Sequence, residues 1–253
     1  MVARTDRVTD PKIRSALLVA RRGQAYFSRK LNELHNDDFD EPSLLPGWSR
    51  RQLIAHVGLN ARALTRLTEW AATGIETPMY SSPTQRNEEI EFTATLPTQA
   101  LRNLSDHAAI HLNVEWRDLE PSAWTHEVRT ALGRLVPVSE TVWMRTREVW
   151  IHAVDLGNGG GFVDFPPELV DALLLDIQGA WARRREAEGI PEFVFAPSDR
   201  PAVTVPPGSP VPDHPVLELA GTAAQLAAWA AGRPFHAVTT TAGDPAPPAP
   251  RWF

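Results

Sequence analysis

Glu148 and His152 stand four residues apart in SETVWMRTREVWIHAVDLG, residues 139–157, a segment whose apolar spacing predicts a helix. On a helix, positions i and i+4 share a face, so a carboxylate and an imidazole here could grip one cation without bending the backbone. A third donor would have to come from elsewhere. LPGWSRRQLIAHVGLNARAL, residues 45–64, offers His56 on a second predicted helix. Two histidines and one carboxylate make a donor set that usually leaves a metal position open for chemistry.

Each of these residues also has a plainer explanation. Glu148 and His152 could simply hydrogen-bond to each other, or Glu148 could pair with Arg145 or Arg147. His56 could be satisfied by Asn60 or by a backbone carbonyl. The surroundings favour the chemical alternative. Trp143, Val149, Trp150, Ile151 and Val154 leave little purely polar face on this helix, so Glu148 and His152 are expected to meet the interior, where a carboxylate needs a partner and a cation is one.

Three further candidates deserve weighing. His107, His111 and Glu115 fall at successive i+4 steps in SDHAAIHLNVEW. The outer two would lie about 12 Å apart at the helical rise, too far for one tetrahedral ion, so they are expected to form a solvated or structural face. Asp155, three residues beyond His152, could hold the second ring nitrogen of that histidine or cap the helix end. Arg233, in AAGRPF, follows a predicted helix end and could reach a carboxylate as a bidentate fork.

Residues 10–35 predict a first helix, and Ser49 with Gln52 forms a capping box that starts a second, with Trp48 and Leu53 as its staple and Gly74 as its stop. The segment 75–96, with Pro78 and Pro83, reads mostly as a long connection that leaves room for a short helix and could cover a site. A third helix runs from Pro97 to about Asp118, and a fourth opens at Pro137 or Ser139 and closes near Gly157. Four helices with long connections describe a bundle, whose metal sites are commonly built from side chains on facing helices.

Composition changes at the Gly-rich LGNGGGF, residues 156–162, which places a boundary between a domain over 1–160 and a second over 161–253. The second part is expected to be α+β. It has a helix from Pro166 or Pro167 to Glu188, short strands over 193–196, 202–205 and 216–220, a helix AAQLAAWAAG closing at Gly232, and a last strand near 236–240. A Pro-rich tail follows.

Net charge is −6 over 253 residues, with no basic run that would follow a nucleic acid. No apolar run approaches the roughly 18 residues that span a bilayer, and the first residues lack the apolar stretch of a secretion signal. The chain is therefore expected to be cytoplasmic and monomeric, with small-molecule partners. It contains no cysteine, which rules out disulfides, thiolate ligands and a nucleophilic protein thiol. Any sulfur chemistry must use a thiol bound from outside.

The stretches LLPGWSRRQLIAHVGLNA, ETPMYSSPTQRNEEIE and above all SETVWMRTREVWIHAVDLG resemble the mycothiol-dependent maleylpyruvate isomerases, and the similarity continues to the closing AAGR and PPAPRW. That resemblance implies an N-terminal DinB-like four-helix bundle and a smaller C-terminal α+β domain similar to sterol carrier protein 2. It implies zinc held by His56, Glu148 and His152, mycothiol as cofactor, and a functional arginine at Arg233. The implied reaction is the cis to trans conversion of maleylpyruvate to fumarylpyruvate in the gentisate branch of aromatic degradation. A thiolate would add to the conjugated alkene, the resulting single bond would turn, and elimination would restore the double bond. A free thiol, with pKa near 8.5, is only a few per cent ionised at neutral pH, and zinc would correct that. The alternatives are a mycothiol S-transferase acting on other electrophiles, a thiol-independent zinc hydrolase, and a binding module with a structural metal. Two histidines and a carboxylate also suit iron and other divalent ions.

Overall fold

The computed structural model describes residues 5–201 and 215–252. Helix α1 (Pro11–Glu33) starts where Asp10 accepts from the Lys12 amide at 2.7 Å and Pro11, which has no amide hydrogen to lose, occupies the first turn. Helix α2 (Arg50–Thr73) opens on the expected capping box: Ser49 Oγ accepts from the Gln52 amide while Gln52 Oε1 accepts from the Ser49 amide at 2.8 Å. It stops at Gly74, whose φ of 74° is left-handed and costs a glycine nothing.

The connection after α2 contains a helix of the kind the sequence left room for. It carries α3 (Pro83–Ala94), a helix of 12 residues capped by Ser82, whose Oγ accepts from the Gln85 amide at 3.0 Å. Its buried stripe is only Ile90, Thr93 and Ala94, so hydrophobic periodicity is weak there. Helix α4 (Thr98–Asp118) follows Pro97 directly. Before the next helix the chain makes a small antiparallel hairpin of β1 (Glu127–Arg129) and β2 (Leu135–Pro137), pairing Val128 with Val136. Helix α5 (Glu140–Asp155) completes the unit.

The chain divides into two compact units, 1–160 and 161–253. In the first, α1, α2, α4 and α5 form the bundle, with α2 against α4 and α5, and α1 against α5. Leu17, Leu64, Leu67, Leu112, Trp116, Trp124 and Val142 are among its buried core. The α1–α5 contact depends on Gly23, where a Cβ would come within 2.4 Å of the Trp150 ring. That closeness lets Trp150 Nε1 donate to the Val19 carbonyl at 3.1 Å.

The second unit contains α6 (Pro167–Glu188), β3 (Glu192–Pro197), β4 (Val216–Gly221), α7 (Ala223–Ala230) and β5 (Thr239–Thr240). Strands β3 and β4 run parallel, with Phe195 opposite Leu219, and β5 adds antiparallel to β4, with Thr240 opposite Leu219. Trp181, Phe193, Phe195 and Trp229 pack their rings together in its core. The strand expected over 202–205 lies outside the described residues. The strand expected over 236–240 is only two residues long, because Ala237, with φ of 52°, turns the backbone out of the extended region. Among the described residues, no helix is long and apolar enough to cross a membrane.

Candidate metal centre

His56 sits in the second turn of α2, and Glu148 and His152 sit on α5. Two arginines fix the spacing of these helices. Arg50, at the start of α2, reaches the end of α5 and donates to the Leu156 carbonyl at 2.6 Å, satisfying a terminal acceptor. Arg145, on α5, is buried and donates back to α2, to the Val57 carbonyl at 2.7 Å and Asn60 Oδ1 at 3.0 Å, and to Gln24 Oε1 of α1 at 2.8 Å. Asn60 is thus committed to Arg145 rather than to His56. Burial lowers the Arg145 pKa to about 10 against the favourable pull of Glu148, which leaves it charged at neutral pH.

The three expected donors do come together. His56 Nε2 lies 3.0 Å and His152 Nε2 3.1 Å from the same oxygen, Glu148 Oε2. One ligand atom from each of the three lies within 4.8 Å of the others. The two imidazoles meet edge to face with centroids 5.1 Å apart, and the Trp48 indole closes on His56 at 5.5 Å. Asp155, fully buried, accepts from His152 Nδ1 at 2.9 Å. Of its two expected roles, the structure gives it the contact with His152.

Hydrogen-bond partners assign the protons. His152 faces a carboxylate at each ring nitrogen, so both nitrogens carry hydrogen; burial opposes that charge, but Asp155 and Glu148 outweigh it and push the pKa up to about 9. Burial pushes His56 the other way, below the ordinary imidazole value, with His152 and Arg86 adding to the shift. Burial would raise Glu148, yet His56 and His152 hold it well below the usual carboxylate range. The set thus carries an ionised carboxylate between two imidazole rings; a divalent cation would take the place of the hydrogen on His152 Nε2, and Asp155 would keep the other on Nδ1.

Two neighbours of the centre lie where the sequence read a connection. Arg86 of α3 places its guanidinium 3.2 Å from His56 Nδ1 and 5.8 Å from the centre of the Tyr80 ring. Burial raises the Tyr80 pKa, partly offset by Arg86. The Ser82–Pro83 pair was the available signal for α3: a cap followed by proline in the first turn would have placed Arg86 one turn before the buried Ile90, on the face turned to α2.

His107, His111 and Glu115 of α4 are not part of this centre. His111 pairs with Glu115 at 3.4 Å on the exposed side of α4, and Glu69 of α2, rather than His107, completes a second cluster there. Arg233 lies in the second unit just after α7, half-buried, with its guanidinium donating to the Ala231 carbonyl at 2.6 Å.

Fold and site together define a class of helical bundle in which facing helices carry a two-histidine, one-carboxylate set. Residues 20–157 match the family model described as the mycothiol maleylpyruvate isomerase N-terminal domain. A solved structure titled as the mycothiol-dependent maleylpyruvate isomerase is 44% identical and superposes with a TM-score of 0.84, covering 95% of this chain and 97% of its own. The structure of a histidine-to-alanine variant of the mycothiol-dependent maleylpyruvate isomerase is 43% identical, with the same TM-score and coverage. Comparison with curated proteins gives no match. The chain belongs to the mycothiol-dependent maleylpyruvate isomerase family.

Proposed function

We propose that this chain is an isomerase converting maleylpyruvate to fumarylpyruvate, in gentisate breakdown in the cytoplasm, and that it works as a monomer with mycothiol and zinc. What carries this function is the coincidence of 44% identity across 95% of the chain with the convergence of His56, Glu148 and His152 on one point. When bound, zinc would supply Lewis acidity and mycothiol the thiolate whose reversible addition to the conjugated alkene allows the double bond to turn.

The chain's own residues would do the following. His56, Glu148 and His152 hold the metal, and two neutral imidazoles with one carboxylate leave a divalent ion with net positive charge to stabilise a thiolate. Asp155 keeps the His152 hydrogen on Nδ1, so Nε2 is presented as the donor. Arg145 holds α5 against α2 and so keeps Glu148 and His152 at a fixed distance from His56. Trp48, packed on His56, helps keep water from that side of the centre. Arg233 holds a substrate carboxylate or the enolate oxygen that develops when a nucleophile adds to the alkene.

The test is isomerase rate with and without mycothiol, alongside metal content, for the wild type, His56→Ala and Arg233→Ala. We expect thiol-dependent turnover and about one metal per chain in the wild type, with rates lower by about 100-fold for His56→Ala and about tenfold or more for Arg233→Ala. Turnover without thiol would overturn the mechanism, and an unchanged Arg233→Ala rate would remove that residue. Assay of a generic electrophile separates an S-transferase from an isomerase on the same site.

A further inference from the structure

Arg86 and Glu148 lie at opposite ends of the His56 ring. Glu148 Oε2 is 3.0 Å from Nε2, and the Arg86 guanidinium is 3.2 Å from Nδ1. A guanidinium has only donors. In this arrangement Nδ1 must therefore accept, and the ring's single hydrogen sits on Nε2, directed at the carboxylate. Metal binding through Nε2 needs the lone pair there and sends that hydrogen to Nδ1, where it would point at another donor. The two arrangements are mutually exclusive, with His56 neutral in both.

Resting on the proposed metal site, we infer that Arg86 and the metal compete through the His56 tautomer, and that Arg86, once displaced, binds a carboxylate of the anionic substrate. Its surroundings fit that role. Arg86 is half-buried on α3, and its side chain also meets the exposed Asn87 and the Tyr80 side chain. Arg145, the neighbouring arginine, is engaged by three helix-borne acceptors and holds the bundle together. A guanidinium that swings away from His56 stays within a side chain's length of the centre and presents a planar fork to a carboxylate. Loading the metal would then prepare the anion site, so that substrate is held well only when the metal is in place. Arg86 becomes a substrate-binding residue of the first unit.

The experiment uses the full chain as wild type, Arg86→Met and Arg86→Lys, with three readouts. Competition titration with a chelator should show zinc binding Arg86→Met about threefold to tenfold tighter than wild type, the worth of one lost hydrogen bond. Calorimetry on zinc-loaded protein with succinate, an unreactive dicarboxylate, should show about tenfold weaker binding for Arg86→Met, with Arg86→Lys between the two. The nitrogen NMR shifts of His56 in metal-free protein should place its hydrogen on Nε2 in wild type and move it toward Nδ1 in Arg86→Met. Loss of a positive charge alone would tighten zinc without moving the tautomer, and that result overturns the inference, as does unchanged or weaker zinc affinity or unchanged succinate affinity. If wild type binds no zinc, the metal site itself fails. If it binds zinc and isomerises while Arg86→Met gives none of these changes, only the role of Arg86 fails.

Discussion

Asp155 Oδ2 takes the Nδ1 hydrogen of His152 at 2.9 Å from a position with no exposure to solvent. Such a buried carboxylate fixes both the orientation and the tautomer of the imidazole it holds. Asp155→Ala frees the ring to rotate and removes its basic partner. Metal affinity measured by chelator competition should fall about 10- to 100-fold. An unchanged affinity would mean that Asp155 only finishes the helix.

Arg145 bears on stability. Its guanidinium satisfies the Val57 carbonyl, Asn60 and Gln24 in the middle of the bundle. Arg145→Met keeps much of the stem but takes a donor from the Asn60 and Gln24 side-chain oxygens, and it removes a charge that faces Glu148. Denaturant unfolding of metal-free protein should show a loss of about 2–4 kcal/mol. A loss below about 0.5 kcal/mol would show that the bundle does not depend on this clamp.

The α1–α5 contact can be tested at a single methyl group. Gly23→Ala would place Cβ 2.4 Å from Trp150 and 2.7 Å from Val149. Helix propensity alone favours alanine by about 1 kcal/mol, but overpacking costs about 1–3 kcal/mol and is expected to win. The check is the midpoint of thermal unfolding, which should fall. A rise would show that the two helices separate without cost.

Asp6 gives a pH dependence away from the metal centre. Its carboxylate takes two hydrogen bonds from Arg21, which also reaches Asn113 of α4. The Arg21 hydrogen bond lowers the Asp6 pKa, with burial opposing it. A group lowered on folding contributes stability above its unfolded pKa, near 3.8, and loses it as pH falls through the lower folded value. Asp6→Asn should therefore cost about 1 kcal/mol at pH 7, and less as the pH is taken below 4. An equal difference at pH 7 and pH 3 would exclude this ion pair as the source.

The parts of this chain that were legible in its sequence are those governed by local chemistry. Ser49 with Gln52 and Gly74 announced both ends of α2, and the i, i+4 spacing of Glu148 and His152 announced a shared face. Helix α3 was legible only as a short helix without bounds, because its buried stripe is three residues wide and lies between prolines, and the β1–β2 hairpin stayed hidden because strands of three residues have no periodicity to read. Long-range pairing was beyond reach for a different reason. That Arg86 would meet His56, or Arg145 meet Asn60 rather than Glu148, depends on how helices far apart in sequence are set against one another, and spacing along one helix carries no information about that.

The donors of the candidate metal centre are unevenly shared between helices: Glu148 and His152 ride on one, and His56 comes from another, 92 residues from Glu148 in sequence. An ion held by all three would close that loop, in a chain that has no cysteine with which to close any. A covalent cross-link over a loop of this length restricts the unfolded chain by about 4–5 kcal/mol. A coordinated ion does comparable work with a tie that a chelator can undo, so in this protein the same three side chains would set both whether the reaction proceeds and how firmly the bundle resists opening.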